Sequence, residues 1–265
     1  MLVPITDPDD PRIEPYRAVR ERDLAGRRER FIAEGEVVLR VLLTRSRFAA
    51  ESLLIAEGRV RSLSELLAGL PAETPVYVAA PLVMDAIVGF PIHRGVLAVG
   101  RRLPVPPAAD LLRTLQERAL VVGLVGLANH DNVGGVFRNA AAFGANAVLL
   151  DAGTCDPLYR KAIRVSVGGS LIVPFGGAPT GEVMLDALRE AGFETFAMSP
   201  AGARTLSGVR PAPRSALLLG AEGPGLPEAV LSRARTVTIP MAGGFDSLNV
   251  ATTSGIALHH LTAAR

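Results

Sequence analysis

The sequence predicts an α/β protein: a mainly parallel sheet with helices on both faces, preceded by a smaller α/β unit. Three observations predict it. Apolar, strand-like runs alternate with helical spacing along most of the chain, and repeated strand–helix units call for the crossovers of a parallel sheet. Pro104, Pro106 and Pro107 interrupt that alternation within 103–109; proline suits neither a helix interior nor a central strand, so this stretch reads as a short stiff linker. In the second half, three loops rich in Gly, Asn and Ser each begin where a strand run stops. Open parallel sheets bind ligands at such places, so the three loops predict one composite site.

The elements follow in order. Residues 1–31 are charged and Pro-containing and read as an arm or a surface helix; Asp7, Asp9 and Asp10, spaced by Pro8, read as solvated rather than metal-binding. Val37, Val38, Val41 and Leu42 recur at helical spacing and predict a helix over 36–48. A strand at 52–56 precedes a helix at 62–70, where Ser62 and Glu65 have the spacing of a capping box. A strand at 76–79, a short helix at 82–88 and a strand at 95–99 complete a first unit over 1–102. The second unit, 110–265, carries strands at 120–127, 147–150, 193–198, 216–219 and 237–239. Its helices are expected at 134–143, 157–165, 182–191, 228–234 and 248–261.

Composition narrows the class. A chain of 265 residues with 49% hydrophobic content can build two cores without staples. Cys155 is the only cysteine, which excludes an internal disulfide, argues against a structural zinc site and fits a reducing, cytoplasmic setting. The first residues lack a basic stretch followed by an apolar one, so no signal peptide is expected. The longest apolar run, 119–128, is short of the about 20 residues that a membrane span needs. The formal charge of +2 says little about nucleic acid. Lys161 is the only lysine, the other cationic side chains being Arg; guanidinium forks suit phosphate, and GC-rich codon usage explains the same bias.

Each loop has a chemical and a bland reading. In 129–138, Asn132 reads as a helix N-cap, Gly134 and Gly135 leave N–H groups approachable, and Arg138 lies about one turn inside, able to reach back. The bland reading is a capped helix with a solvated Arg. The loop 219–226 sets Gly220, Gly223 and Gly225 around Glu222, so that a ligand can lie on bare backbone; the alternative is a loose turn with Pro227 starting a helix. Neither a Gly-x-Gly-x-x-Gly fingerprint nor a Gly-x-Ser-x-Gly elbow is present. In 239–251, Ile239, Pro240 and Met241 lead through a turn at 242–245 to Ser247 and Asn249, which open a helix of small residues including Ala251. That helix serves a ligand or a tight interface. Arg160, Lys161 and Arg164 form a basic helix, either a phosphate patch or a solvated face. His259 and His260 point about 100° apart on a helix and read as surface or interface residues.

Together, 129–144, the loop Gly220-Ala221-Glu222-Gly223 and the stretch Ile239-Pro240-Met241 through Ser247-Leu248-Asn249-Val250-Ala251 resemble the three ordered motifs of the SpoU/TrmH-type RNA ribose 2′-O-methyltransferases of the SPOUT superfamily. The resemblance covers roughly 118–265. The first unit, with Pro91 through Ala98 near its end, is similar to the L30e-like substrate-binding domain often found ahead of that catalytic domain. The resemblance implies a C-terminal trefoil knot, S-adenosyl-L-methionine as cofactor, a homodimer formed through the C-terminal domain and an RNA substrate (rRNA or tRNA); composition already argues against a metal or a membrane partner. It implies that Met198 and the loop after it, Leu219, Gly220, Gly223, Ile239, Met241, Leu248 and Ala251 hold the cofactor. It casts Arg138, Asn132, Glu222, Ser247 and Asn249 as catalytic, with Arg94, Arg160, Lys161 and Arg164 as RNA contacts. His130 and Asp131 depart from the usual motif, where many relatives carry Pro and Gly.

Methylating a ribose hydroxyl needs a proton acceptor. Family proposals give that role to the Arg138 position, yet a guanidinium is protonated up to a pKa above about 12. Arg138 therefore reads as the group that grips a neighbouring RNA phosphate and steadies the alkoxide, the proton going to the phosphate or to a transiently neutral Arg138. Two other classes stay open: an RNA-binding protein that has kept this fold without catalysis, and a phosphate-binding α/β enzyme using the helix near Val133.

Overall fold

In the computed structural model, which describes residues 2–17, 29–89, 94–243 and 247–263, the chain divides into two units: Met1–Leu103 with Leu158–Ile172, and Pro104–Pro157 with Val173–Arg265. The first unit holds a mixed sheet of five strands. Leu2–Ile5 (β1), Val76–Ala79 (β4) and Ala50–Ala56 (β3) run parallel in that order; Val96–Arg101 (β5) and Arg30–Glu34 (β2) continue the sheet in antiparallel pairing. Ile5, Ile13, Tyr16, Ile32, Leu54 and Met84 share its core, and the Tyr16 hydroxyl lies 2.7 Å from Ser52 Oγ. The stretch expected to be an arm therefore supplies an edge strand and buried side chains. The strand is four residues long and runs straight into Asp- and Pro-rich turns, so composition hid it.

Glu36–Thr44 (α1) follows β2, shorter than expected because Arg45 leaves the helical region. Ser62 caps no helix: its hydroxyl donates to the Arg59 carbonyl, and Ser64–Ala68 (α2) starts without a side-chain cap. Pro81–Val88 (α3) ends on left-handed Gly89. The helices Arg160–Val165 (α6) and Gly169–Ile172 (α7), which the sequence assigns to the second unit, cluster with the first. Arg160 forms an ion pair with Glu34 of β2, and the Arg47 amide donates to the Leu171 carbonyl at 3.2 Å.

The second unit is built on seven strands, all paired in parallel: Ala119–Val125 (β6), Ala147–Asp151 (β7), Phe175–Ala178 (β8), Glu194–Met198 (β9), Arg204–Thr205 (β10), Arg214–Gly220 (β11) and Arg235–Thr238 (β12). Their spatial order is β10-β12-β9-β11-β6-β7-β8. The chain lays β6, β7 and β8 toward one edge, then crosses to place β9, β11 and β12 on the other side of β6. Strand side chains alternate between faces. Ala119, Val121, Leu149 and Leu218 bury against Ala108–Arg113 (α4), Gly181–Glu190 (α8) and Glu228–Leu231 (α9). The opposite face is covered by His130–Ala142 (α5) and Val250–Ala263 (α10). Every residue of β6 is buried, as a strand covered on both faces requires.

β8 and β10 escaped the sequence reading: the first contains Phe-Gly-Gly-Ala and the second is two residues long. Within the expected linker, Pro107 precedes α4 directly and the Pro106 carbonyl accepts from Gly177 of β8 at 2.9 Å. The segment 91–93 and the turn residues 244–245 lie outside the described residues. Among those described, no helix is long and apolar enough to cross a membrane, and no group of three or more His, Cys, Asp or Glu could hold a metal ion.

Candidate functional site

The carboxyl ends of β6, β9, β11 and β12 lie side by side, where the strand order switches direction. Chains leaving such ends diverge and leave a crevice. A cavity of about 460 Å³ occupies it, within the size range of small-molecule sites. Met198 at the end of β9, Leu219 and Gly220 at the end of β11, and Ile239, Met241 and Leu248 after β12 line it, with Gly223. Its wall is mostly apolar, while the Glu222, Ser247 and Asn249 side chains and open backbone provide polar groups.

One side chain joins the three loops. Asn249 Oδ1 accepts from the amides of Ala251 and Thr252 at 2.9 and 3.2 Å, capping α10. Its Nδ2 donates to Asn132 Oδ1 at 2.9 Å and to Glu222 Oε1 at 3.4 Å. Asn132, Glu222 and Asn249 lie far apart in sequence and meet at one rim of the cavity. Asn249→Asp keeps the cap but replaces the donor with a carboxylate oxygen facing two acceptors. We expect it to cost about 1–2 kcal/mol in urea unfolding and to weaken ligand binding in the cavity. Unfolding equal to wild type would show that the three-way contact contributes nothing.

Asn132 is not the cap that the sequence implies. Asn129 caps α5, its Oδ1 accepting from the Asp131 amide at 2.8 Å, so His130, Asp131 and Asn132 belong to the first turn. Asn132 is buried there and free of capping duty, which leaves its Oδ1 for Asn249. Asn139, seven residues on and so on the same helix face, escaped notice. Its Nδ2 donates to the Ala251 carbonyl at 2.7 Å and to Ser254 Oγ at 2.8 Å. A side chain on Gly135 would come within 2.5 Å of Ala251 Cβ. Ala251 therefore holds α5 against α10 and does not line the cavity, unlike the other seven expected cofactor contacts.

Gly220, which lines the cavity as expected, carries a second constraint. A Cβ there would collide with the Gly225 carbonyl carbon and the Leu226 nitrogen. Its bare face is thus filled by its own loop, which closes with the Gly225 amide donating to the Ala221 carbonyl at 3.0 Å. Ser199 and Pro200, in the expected loop after Met198, line the cavity too; Thr238 and Thr253 also line it without having been expected there, and only adjacency to a strand end marks Thr238.

Arg138 sits on α5, exposed, outside the cavity's lining. Among the described residues no ion pair or hydrogen bond is seen for its guanidinium. The basic helix α6 is different. Arg160 is turned inward, its side chain 14% exposed against Glu34 at 8%, and Arg164 reaches the same carboxylate at 3.9 Å. Two of the three cations of the expected phosphate patch are thus drawn toward one carboxylate, because a buried Glu34 needs a cation. Lys161 is half-buried, and Arg94 is exposed beside Gly35. Burial and neighbouring Asp156 push the Cys155 thiol up to about 11, away from nucleophilic use. His259 stacks edge-on with Phe143, and His260 Nε2 lies 3.1 Å from the Val209 carbonyl oxygen.

The comparisons agree with this geometry. The model of the SpoU rRNA Methylase family matches residues 119–259, which include every residue lining the cavity. A protein described as an uncharacterized tRNA/rRNA methyltransferase from Mycobacterium tuberculosis is 40% identical over 268 residues, covering 97% of this chain and 91% of its own. A solved RNA 2′-O ribose methyltransferase is 28% identical, with a TM-score of 0.77, over 100% of this chain and 99% of its own. The SpoU methyltransferase AviRb from Streptomyces viridochromogenes, solved in complex with AdoMet, is 25% identical with a TM-score of 0.76, over 95% of this chain and 96% of its own. An α/β unit with this parallel sheet, these three converging loops and this end-to-end similarity belongs to the SpoU rRNA methylase family, a family of RNA methyltransferases.

Proposed function

We propose that this protein transfers a methyl group from S-adenosylmethionine to a ribose 2′-hydroxyl of structured RNA, ribosomal or transfer. The observation that carries it is the junction of Asn132, Glu222 and Asn249 at the rim of one cavity. The cavity fits the cofactor in size and in chemistry: apolar Leu219, Ile239, Met241 and Leu248 suit an adenine and a methylene stem, and the open backbone of the 220–226 loop offers polar partners. When bound, the cofactor supplies an activated methyl on a sulfonium, so the protein's task is positioning and charge control.

Arg138 lies six residues beyond Asn132, about 9 Å of helix rise from the cavity rim. From there its guanidinium grips the phosphate beside the target ribose and steadies the alkoxide as it forms. That phosphate takes the hydroxyl proton, since the guanidinium stays charged. Asn132, Glu222, Ser247 and Asn249 orient the ribose. The resemblance to an RNA 2′-O ribose methyltransferase supports the choice of the hydroxyl over a base. The first unit serves as the L30e-like RNA-binding domain, with Arg94 among its contacts, and the second as the catalytic domain. A knotted path at the carboxyl end and a homodimer through that end are part of the same proposal; the close backbone approach of Gly202 to Val237 and Thr238 supports a tightly threaded region.

The test has two steps. Calorimetry with S-adenosylmethionine should show one site per chain. Mapping of 2′-O-methyl groups in RNA from cells with and without the gene should show the loss of a ribose methylation. Cofactor binding with no ribose site lost would leave a methyltransferase of other specificity and end this proposal.

A further inference from the structure

At the edge of the catalytic sheet, Arg204, Arg210 and Arg235 border a hollow of about 150 Å³ floored by Phe196, Val209 and Val237. Arg235 is paired with Glu194. Arg204 and Arg210 are exposed, and among the described residues neither guanidinium shows an ion pair or hydrogen bond. The two-residue strand β10 places Arg204 opposite Val237 of β12, one residue before Thr238, which lines the cavity. The loop from Ser199 and Pro200, both in the cavity wall, runs straight into Arg204, fastened by the Thr238 hydroxyl on the Pro200 carbonyl at 3.0 Å. An uncompensated guanidinium therefore stands on the β10–β12 pair a few residues from the cavity, and Arg210, beyond the turn 206–208, joins it at the same hollow.

We propose that Arg204 and Arg210 form a phosphate-contact rim that holds the RNA strand flanking the nucleotide presented to the cavity. The partner is the sugar–phosphate backbone of the substrate RNA, and the proposal rests on the RNA-methyltransferase function given above. Charge selects that partner: two fork-shaped cations without acids of their own match successive phosphates. The contrast with α6 supports it, because there Glu34 has already claimed Arg160. Charged residues also shield sheet edges from aggregation, and that role alone would need no RNA.

The experiment measures binding of a short fluorescein-labelled RNA hairpin by anisotropy across a salt series. It compares wild type, Arg204→Ala/Arg210→Ala, the charge-keeping Arg204→Lys/Arg210→Lys, and Arg113→Ala/Arg189→Ala, which removes arginines paired to Asp110 and Asp186. The first double variant should reduce the slope of log affinity against log salt by roughly 2, about one per phosphate contact. The Lys variant should recover most of the slope, and the control should keep all of it. S-adenosylmethionine affinity should be the same in all four, reporting an intact catalytic unit. A wild-type slope in Arg204→Ala/Arg210→Ala, or an equal loss in the control, overturns the rim while leaving the function standing. Wild-type protein that binds no RNA overturns both.

Discussion

Arg138→Ala should lower methyl transfer by at least about 100- to 1000-fold, the usual effect of removing one preorganised charge stabiliser at a reacting oxygen. Cofactor affinity should hardly change, because Arg138 does not line the cavity. Tritiated methyl transfer to total RNA from cells lacking the gene measures the first quantity and calorimetry the second. Arg138→Lys should recover little: an ammonium keeps the charge but loses the planar fork that grips a phosphate through two oxygens. The pairing of the two readouts is informative. Activity near wild type in Arg138→Ala would remove the residue from the chemistry, and joint loss of activity and cofactor binding would mark it as structural.

Gly220→Ala should be the most damaging single-methyl change in the cavity wall. The added carbon meets backbone atoms of Gly225 and Leu226, which cannot rotate away as a side chain could. Relief requires the 220–226 loop to open, breaking the Gly225–Ala221 hydrogen bond and moving Leu226, which is 5% exposed in the core. Overpacking of this kind costs about 1–3 kcal/mol, occasionally more. Urea unfolding should show a loss near the upper end, and S-adenosylmethionine binding should fall with it. Gly223→Ala is a different experiment: the added carbon meets open space, and only its φ of 86° resists. Its cost should be about 1–2 kcal/mol, the strain of a left-handed residue. Equal stability of Gly220→Ala and wild type would mean that the loop yields freely and does not shape the cavity.

Most of this architecture was legible in the residue order. Continuous apolar runs such as 119–125 are what strands covered on both faces look like, and the helical spacing between them calls for parallel crossovers. The loops that follow those runs carry Gly, Asn and Ser because they must turn sharply and leave the sheet, which is also what makes them ligand-facing. Local composition therefore determined the fold class, the strand ends and the neighbourhood of the site. Elements held only by tertiary pairing stayed hidden: β1, β8 and β10 are short, and neighbouring strands rather than internal pattern make them strands.

Charge and hydrogen-bond partnership were decided by the folded chain alone. Nothing near Arg160 in sequence announces Glu34, yet the buried carboxylate takes that guanidinium, while Arg138, Arg204 and Arg210 stay exposed with no ion pair among the described residues. Asn132 and Asn129 look interchangeable as caps, and the choice falls to Asn129 while Asn132 turns to Asn249 across the gap between α5 and α10. Periodicity is a property of neighbours along the chain and can be read from it. The partner of a polar side chain is set by which distant segments the core brings within hydrogen-bond reach, and that distance exists only after folding.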